Sequence, residues 1–322
     1  MKKIISLVLM ILMMSSLCLP AFAEDTHLEM MGEVPTGDIC AKGDSESVME
    51  PKSEYQMALE ETQRLESIAQ EENSSENSDK TPIEEYKEAF DARAEMSPEI
   101  LCGMGYSADE IEILQRYKNG ECSFEEAATR AAAVLTPNLK CTKHTTEKYI
   151  VEYSWEWDKT PVGLGEDGFA LGLYGIDSQS VGFVTKLNSS TAAVTYCYTD
   201  GTYYKVEYPT TDVSTNAVST KFDSYKLSDS GDRWVWAKRG YIIMNISPAV
   251  SGGKTFAAVR AAGEYGHSSK SSSQIDISVS VDVLSGSITA TFSISPSSSG
   301  TVTPYGKKQS IFYNDGSEHV EA

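Results

Sequence analysis

Two pairs of carboxylates in the middle of the chain are the first residues whose spacing could support catalysis. Glu156 and Asp158 alternate along a predicted strand and therefore share one face of it. Glu166 and Asp167 follow in a predicted loop. Two carboxylates that flank a glycosidic bond can act as acid and as base or nucleophile. Carboxylates are also ordinary surface residues in an acidic protein, so the pattern alone assigns no catalytic residue.

His267 is the histidine with the most suggestive surroundings, in the sequence Tyr265-Gly266-His267-Ser268. A serine hydrolase needs a positioned nucleophile beside its histidine and an acid that orients the ring. The neighbouring serines form a low-complexity tract, and the chain has no Gly-x-Ser-x-Gly elbow. We therefore expect a turn histidine without a catalytic role.

Loop carboxylates could also bind calcium, as they do in some extracellular modules. The candidates are Asp229, Asp232, Glu166 and Asp167. The chain lacks a twelve-residue EF-hand pattern, and its cysteines lack the close spacing of a zinc site. The glycines of 163–168 match Gly-x-Gly-x-x-Gly, but no helix is predicted after them, as a dinucleotide site requires. We expect no metal and no cofactor.

Aromatic residues give the clearest binding signal, with 17 Tyr and 4 Trp in the chain. A flat ring covers apolar surface at small entropic cost, which suits exposed rings to sugars or proteins. We expect Tyr196, Tyr198 and Tyr203 to share one partly exposed face with Lys205 and Glu207. The tryptophans form two Trp-x-Trp pairs, which we expect in the core.

The overall charge excludes several classes of partner. The 322 residues include 27 Lys and Arg against 47 Asp and Glu, which gives a formal net charge of −20. Nucleic acids and anionic membranes select clustered basic residues, so we expect neither as a partner. We count 28 acidic and 10 basic residues in 24–140, so the acidic excess belongs to the N-terminal part of the chain.

The N-terminus has the layout of a secretory signal peptide. Two lysines precede an apolar run over 4–14, and Ala21-Phe22-Ala23 is a small-x-small site. We expect cleavage between Ala23 and Glu24 and a secreted or cell-surface protein of bacterial type. No second long apolar run follows, so we expect no transmembrane helix in the mature chain.

Five cysteines remain when Cys18 is removed with the signal peptide, and export permits disulfides. An odd number leaves at least one thiol free or paired between chains. Cys102 and Cys122 flank one predicted short helix and form the candidate disulfide. The alternative is five separate thiols.

Residues 24–80 are acidic and poor in large apolar side chains. Such a segment cannot bury enough surface to offset its chain entropy, so we expect a largely disordered spacer. One marginal helix is predicted over 53–70, where Met57, Leu65 and Ile68 form a sparse stripe. The alternative is an acidic tether for cations or a basic partner.

Residues 81–136 carry helical signals. Capping boxes of the form Ser/Thr-x-x-Glu begin at Thr81, Ser107 and Ser123, and Ser97-Pro98 begins a further short helix. We expect a short helical module over 81–136 whose last helix runs to Leu135.

Part of this module resembles a UBA-type three-helix module. The likeness covers about 98–135 and depends on Met104-Gly105-Tyr106-Ser107, Glu110, Leu114 and Asn119-Gly120. We carry over the fold and not the ubiquitin contact, since an exported protein would not meet ubiquitin as an ordinary partner. With that fold, the resemblance implies that Met104, Gly105 and Tyr106 form a small protein-binding loop.

Residues 145–322 are β in pattern, with turn signals at short intervals. Between Tyr149 and Trp157 the odd positions are aromatic residues or valine, and the even ones are mostly polar. Alternate side chains of a strand point to opposite faces, so Trp155 and Trp157 should face the core.

Two hairpins are predicted within this zone. The first places Cys197 opposite Tyr204 across a two-residue turn. The second spans 275–295 and places Val279 opposite Phe292, with one face wholly apolar and the other wholly polar. A slip of one residue would expose the apolar face, so the register should be well fixed.

The fold class we expect is mainly β. An antiparallel two-sheet β-sandwich over 145–322 follows a small all-α segment and a disordered acidic stretch. The favoured function is a secreted or cell-surface, non-catalytic binding protein whose partner is a cell-surface glycan or protein. The alternatives are a secreted pore-former that inserts the hairpin 275–295, and a secreted hydrolase.

Overall fold

The structure is a computed structural model, and it describes residues 51–72, 80–163, 165–214, 216–231, 233–249, 253–270 and 274–321. The predicted signal peptide, its cleavage site between Ala23 and Glu24, and the first part of the predicted spacer lie outside these ranges. No helix in the described part is both long enough and apolar enough to span a bilayer.

The described residues form five helices and sixteen strands. The helices are α1 (Glu54–Glu72), α2 (Pro82–Ala94), α3 (Pro98–Gly103), α4 (Ala108–Lys118) and α5 (Phe124–Ala131). The strands are β1 (Lys52–Ser53), β2 (Val134–His144), β3 (Tyr149–Trp157), β4 (Glu166–Ile176), β5 (Gly182–Phe183), β6 (Thr185–Tyr198), β7 (Tyr203–Tyr208), β8 (Thr211–Ser214), β9 (Ala217–Asp223), β10 (Tyr225–Leu227), β11 (Trp234–Pro248), β12 (Ala258–Ser268), β13 (Ile275–Asp282), β14 (Ser287–Ile294), β15 (Val302–Tyr313) and β16 (Glu318–Glu321).

The strands form a mainly β, antiparallel architecture, as the sequence predicts. Sheet A has the strand order β1-β2-β3-β11-β6-β7, with β10 paired to β11. Sheet B has the order β16-β15-β12-β4-β9-β8, with β5 paired to β4. Their inner faces enclose an aromatic core. In this core the centroid of the Trp155 ring lies 5.3 Å from the centroid of Phe222 and 4.8 Å from that of Tyr265.

Alternation along β3 is confirmed, with Trp155 only 2% exposed and Trp157 fully buried. The two residues of the second Trp-x-Trp pair differ in burial: Trp236 is 3% exposed, but Trp234 is 51% exposed. Trp234 begins β11, and its ring stacks on Tyr225 with a centroid distance of 4.8 Å. The expectation of a core position is therefore wrong for Trp234.

The hairpin β13–β14 forms a third layer over sheet B. Val279 pairs with Ala290, and Ile277 pairs with Phe292, so the predicted register is wrong by two residues although the predicted faces are kept. The turn is longer than predicted because the Asp282 carboxylate accepts the backbone N–H of Leu284 at 2.9 Å. The apolar face of the hairpin packs on glycines of sheet B. A Cβ added at Gly172 would lie 2.7 Å from Ile288, and one at Gly266 would lie 2.3 Å from Phe292.

Helix α1 corrects the prediction of a solvated spacer for the part of 24–80 that the structure describes. The predicted marginal helix over 53–70 is present, and Glu54, Met57 and Ala58 at its start are buried. Glu54 accepts the backbone N–H of Val162 at 2.8 Å. Tertiary packing of one helix turn therefore supplies the stability that the sparse apolar stripe lacks.

The helical module begins as predicted but ends earlier. Full capping boxes form at Thr81 and Ser107, whereas Ser123 only accepts the backbone N–H of Glu126. Helix α5 ends at Ala131, and β2 begins at Val134 and joins sheet A. The boundary expected between 136 and 145 is therefore wrong, since this segment pairs with β3.

Buried charged side chains connect the helical module to the sandwich through hydrogen bonds. Arg93 of α2 is 1% exposed and donates to the backbone oxygens of Thr160 at 3.0 Å and Pro161 at 2.7 Å. Glu85 of α2 accepts hydrogen bonds from Ser269 and Thr301 of the sandwich. Burial would raise the pKa of Glu85, but these hydrogen bonds and Lys270 outweigh it and lower the pKa. The module and the sandwich thus share polar contacts that neither could satisfy alone.

The loop that carries the UBA resemblance is part of this interface. Met104 and Tyr106 are each 3% exposed, and the Met104 backbone oxygen accepts the N–H of Thr160 at 2.9 Å. A Cβ at Gly105 would lie 3.3 Å from Lys159. The contacts of this loop are made within the chain, and the resemblance itself stays a prediction.

The predicted Cys102–Cys122 disulfide is not formed. The four described cysteines are free: Cys102, Cys122, Cys141 and Cys197. Cys102 is exposed, whereas Cys122 is half-buried and directs its Sγ to the backbone oxygen of Ile113 at 3.8 Å. Their side chains therefore lie in different environments although they are close in sequence.

Candidate binding face

The tyrosine hairpin β6–β7 has a register one residue away from the predicted one. Cys197 pairs with Tyr203, and Tyr196 pairs with Tyr204. The turn contains three residues, because the backbone N–H of Tyr198 bonds to the oxygen of Thr202 and Gly201 takes a φ of 82°. A shift of one residue exchanges the faces of a strand. The prediction that Tyr196, Tyr198 and Tyr203 share a face is therefore wrong.

The inner tyrosines of the hairpin bind groups of their own chain. Tyr196 is fully buried, and its hydroxyl bonds to that of Tyr208 at 2.6 Å. The Lys226 ammonium lies 4.6 Å from the centre of the Tyr196 ring and within 6.0 Å of the rings of Tyr204 and Tyr208. Tyr198 is half-buried beneath Arg233, whose guanidinium lies 4.0 Å from the ring centre. Tyr196 and Tyr198 are thus not free for a ligand.

Tyr203 lies on the outer face of sheet A and is 55% exposed. Beside it a groove of about 740 Å³ crosses β2, β3, β11, β6 and β7. We call this groove the outer groove; its charged and tyrosine lining residues are Glu152, Glu156, Asp158, Lys205, Arg239 and Tyr241. Its volume falls within the range of about 300–1,000 Å³ typical of ligand sites.

Cations and rings alternate along the outer groove. Lys205 donates to the Tyr241 hydroxyl at 3.1 Å, and this hydrogen bond raises the pKa of Lys205. The guanidinium of Arg239 lies 5.9 Å from the centre of the Tyr203 ring. Arg239 has no carboxylate within ion-pair distance among the described residues. The groove therefore offers a guanidinium, an ammonium and the Tyr241 ring to a ligand, and the exposed Tyr203 ring lies beside it.

The predicted pair Glu156 and Asp158 shares this face, but Asp158 is engaged. Its carboxylate accepts the backbone N–H groups of Val134 and Lys159, each at 2.7 Å. Glu156 lies 3.8 Å from the Lys238 ammonium. A carboxylate that fixes the start of β2 serves the fold, so the pair does not provide two free groups for acid–base chemistry.

Glu166 and Asp167 begin strand β4 and do not lie in a loop, which corrects the predicted location. Glu166 accepts the backbone N–H of Ile275 at 2.8 Å and lies 3.4 Å from Lys221. Asp167 points to the opposite face and is fully buried. Asp229 lies 3.6 Å from Lys226, and Asp232 lies outside the described residues. In the described part, no three His, Cys, Asp or Glu residues are grouped as metal ligands.

His267 is a buried strand residue, and the prediction of a turn histidine is wrong. Its Nδ1 lies 2.9 Å from Oδ2 of Asp167, which also accepts the hydroxyl of Tyr265 at 2.5 Å. Burial alone would lower the pKa of His267, but the negative charges of Asp167 and Glu54 raise it to about 10. The two carboxylates thus favour the charged form of the ring, and a protonated imidazole cannot accept the proton that a general base must take.

Sequence reasoning missed Arg239 and Tyr241 as site residues. Both occupy odd positions of β11, whereas the even positions Ile242 and Met244 are fully buried. The alternation was visible in the sequence, but neighbours on the face become known only when β11 is placed between β3 and β6.

No family model matches the chain, and no curated protein matches it. Among solved structures, the collagen-binding subdomain of the Enterococcus faecalis surface protein ACE is similar with a TM-score of 0.25 and 8% identity. That match covers 50% of this chain and 92% of the other. AvmM, which catalyses macrocyclization in alchivemycin A biosynthesis, matches with a TM-score of 0.19 and 8% identity over 41% of this chain and 73% of its own. Neither similarity is strong enough to bear on function.

Proposed function

We propose that the protein is a secreted or cell-surface, non-catalytic binding protein that holds a polar glycan in the outer groove. The observation that carries this proposal is the exposed Tyr203 ring beside the Arg239 guanidinium, which has no carboxylate of the described residues within ion-pair distance although Glu156 is its cross-strand partner. An aromatic ring can cover the apolar face of a sugar, and a guanidinium can donate several hydrogen bonds to hydroxyl or carboxylate oxygens.

Binding of the full chain to a panel of glycans and cell-wall polymers tests this proposal. We expect at least one glycan to bind, and Tyr203→Ala and Arg239→Ala each to weaken that binding about tenfold or more. Trp234→Ala is the matched control, since Trp234 is a similarly exposed aromatic residue whose ring stacks on Tyr225, whereas the Tyr203 ring lies beside Arg239 of the groove. Absence of binding to every glycan, or equal loss in the control, would refute the proposal.

The two alternative functions find less support in the described residues. The strands β13 and β14 have eight residues each, fewer than the nine to eleven that a bilayer-spanning strand needs, and their apolar face is packed on sheet B. A hydrolase would need free acid and base groups, but Asp158 and His267 are held by contacts within the fold. A liposome-leakage assay with wild-type protein remains the direct test of the pore-forming alternative.

A further inference from the structure

A second cavity lies at the open edge of the sandwich, apart from the outer groove. It has a volume of about 250 Å³ and lies between α1, β2 and β15. Strand β16 pairs with β15 only at Gln309–Phe312, so the preceding segment of β15 has no strand neighbour on that side among the described residues. The edge of the core is therefore accessible there. We call this cavity the edge cavity.

The floor of the edge cavity is apolar. Met57 of α1, Leu135 and Pro137 of β2, and the Tyr305 ring of β15 line it. Met57 and Leu135 belong to the sandwich core and are 6% and 1% exposed. A ligand that enters would therefore contact the core itself, where removal of apolar surface from water is favourable.

The charges at the rim are not balanced. Lys52 pairs with Glu60 and Arg64 pairs with Glu61, each with a closest approach of 2.6 Å. Lys307 and Lys308 also line the cavity and have no carboxylate within ion-pair distance in the described part of the chain. After the paired charges are set aside, Lys307 and Lys308 remain. As successive strand residues they point to opposite faces of β15, and Lys308 is the one on the face that carries the Tyr305 ring.

The remaining carboxyl group at the cavity is Glu264. It lies where the β12–β15 ladder is irregular, since Gly263 pairs with Lys308 but Tyr265 pairs with Tyr305. Such a bulge redirects a side chain and is common beside binding sites. Burial raises the pKa of Glu264 to about 7, with Lys307 acting in the opposite direction. A carboxyl that is largely protonated just below neutral pH repels an anion little.

We infer that the edge cavity binds a small amphipathic carboxylate, whose apolar body covers Met57 and Leu135 and whose carboxylate meets Lys308. The available volume corresponds to about eight water molecules. A short aryl or alkyl acid fits this volume. The apolar floor and the Lys308 ammonium select the two halves of such a ligand.

Calorimetric titration of the full chain with 3-phenylpropionate tests the inference at pH 6.5. We expect millimolar or tighter binding, and at least tenfold weaker binding of 3-phenylpropionamide, which keeps the shape but lacks the charge. The variant Lys308→Met should weaken binding of the acid at least tenfold and leave binding of the amide unchanged. Lys186→Met is the matched control, because Lys186 is an exposed lysine of β6 outside the cavity.

The possible results separate clearly. If the acid does not bind, if the amide binds equally well, or if Lys308→Met binds the acid like wild type, the inference is wrong. Since both ligands are tested on the same folded proteins, loss of binding through unfolding would remove both signals and would be visible in the circular dichroism spectrum. Glycan binding in the outer groove does not enter either readout, so the two proposals fail independently.

Discussion

Glu54, the first residue of α1, places its Oε1 3.5 Å from the Nε2 of His267 in strand β12. Asp167 holds the other ring nitrogen at 2.9 Å, so a buried imidazolium lies between two buried carboxylates. This arrangement ties the N-terminal helix to both the sandwich and the loop at Val162. A buried charge is tolerated only when its partners compensate it, so each of the three groups depends on the other two.

The first prediction concerns the pH dependence of stability. The pKa of His267 is raised to about 10 in the folded protein and is about 6.5 when unfolded. Protonation of His267 therefore stabilises the folded state fully below pH 6.5, and this contribution is lost as the pH rises through 10. We expect urea unfolding to give a free energy lower by about 2–4 kcal/mol at pH 9.5 than at pH 6.

The matched variant for this test is His267→Gln, which removes the titrating group. Its stability should be lower than that of wild type at pH 6, and it should change less between pH 6 and pH 9.5. Equal pH dependence in both proteins would show that His267 is not the group responsible.

The second prediction concerns Glu264 under the hairpin β13–β14. Val279, Ile288 and Ala290 of the hairpin, Ala170 of β4 and Lys307 of β15 surround it. Burial raises its pKa to about 7, so the folded state favours the neutral form, and stability decreases as the pH rises from 4.5 through 7. Glu264→Gln should raise the free energy of unfolding by about 1–3 kcal/mol at pH 8 and change it little at pH 4.5. An equal effect at both pH values would mean that the buried charge of Glu264 is not what destabilises the protein.

Local patterns in the sequence were sufficient to predict the helices and strands and, for most strands, which face is buried. Alternation placed Trp155 in the core, and the capping boxes at Thr81 and Ser107 located two helix starts. These signals depend on residues within one turn or one strand, which the sequence shows directly. The mainly β fold class follows from them.

Contacts between distant segments could not be predicted in the same way. The register of the β6–β7 hairpin depends on whether Thr199 belongs to the strand or to the turn, and that single choice moved Tyr203 to the other face. The outer groove requires Arg239 and Tyr203 on separate strands to become neighbours. The Glu54–His267 contact joins two segments that are far apart in the chain, and no local sequence pattern in either segment predicts it.

The third prediction concerns the attachment of the helical module. Arg93→Met keeps the volume but removes donors to the Thr160 and Pro161 oxygens and to the Tyr106 hydroxyl. Buried acceptors without partners should destabilise the protein by about 3 kcal/mol, measured by urea unfolding. Limited proteolysis should also cut the helical module first. Arg130→Met on the exposed face of α5 is the control and should be nearly neutral.

The fourth prediction concerns the contact between the hairpin β13–β14 and sheet B. A methyl group at position 266 would lie 2.3 Å from the Phe292 ring, so Gly266→Ala must displace the ring or lift the hairpin. Overpacking of this kind costs about 1–3 kcal/mol. We expect amide hydrogen exchange to increase in β13 and β14 while β3 and β11 keep their protection. Ser278→Ala, on the exposed face of β13, should leave exchange unchanged. Unaltered exchange of the hairpin in Gly266→Ala would mean that Phe292 does not anchor it to β12.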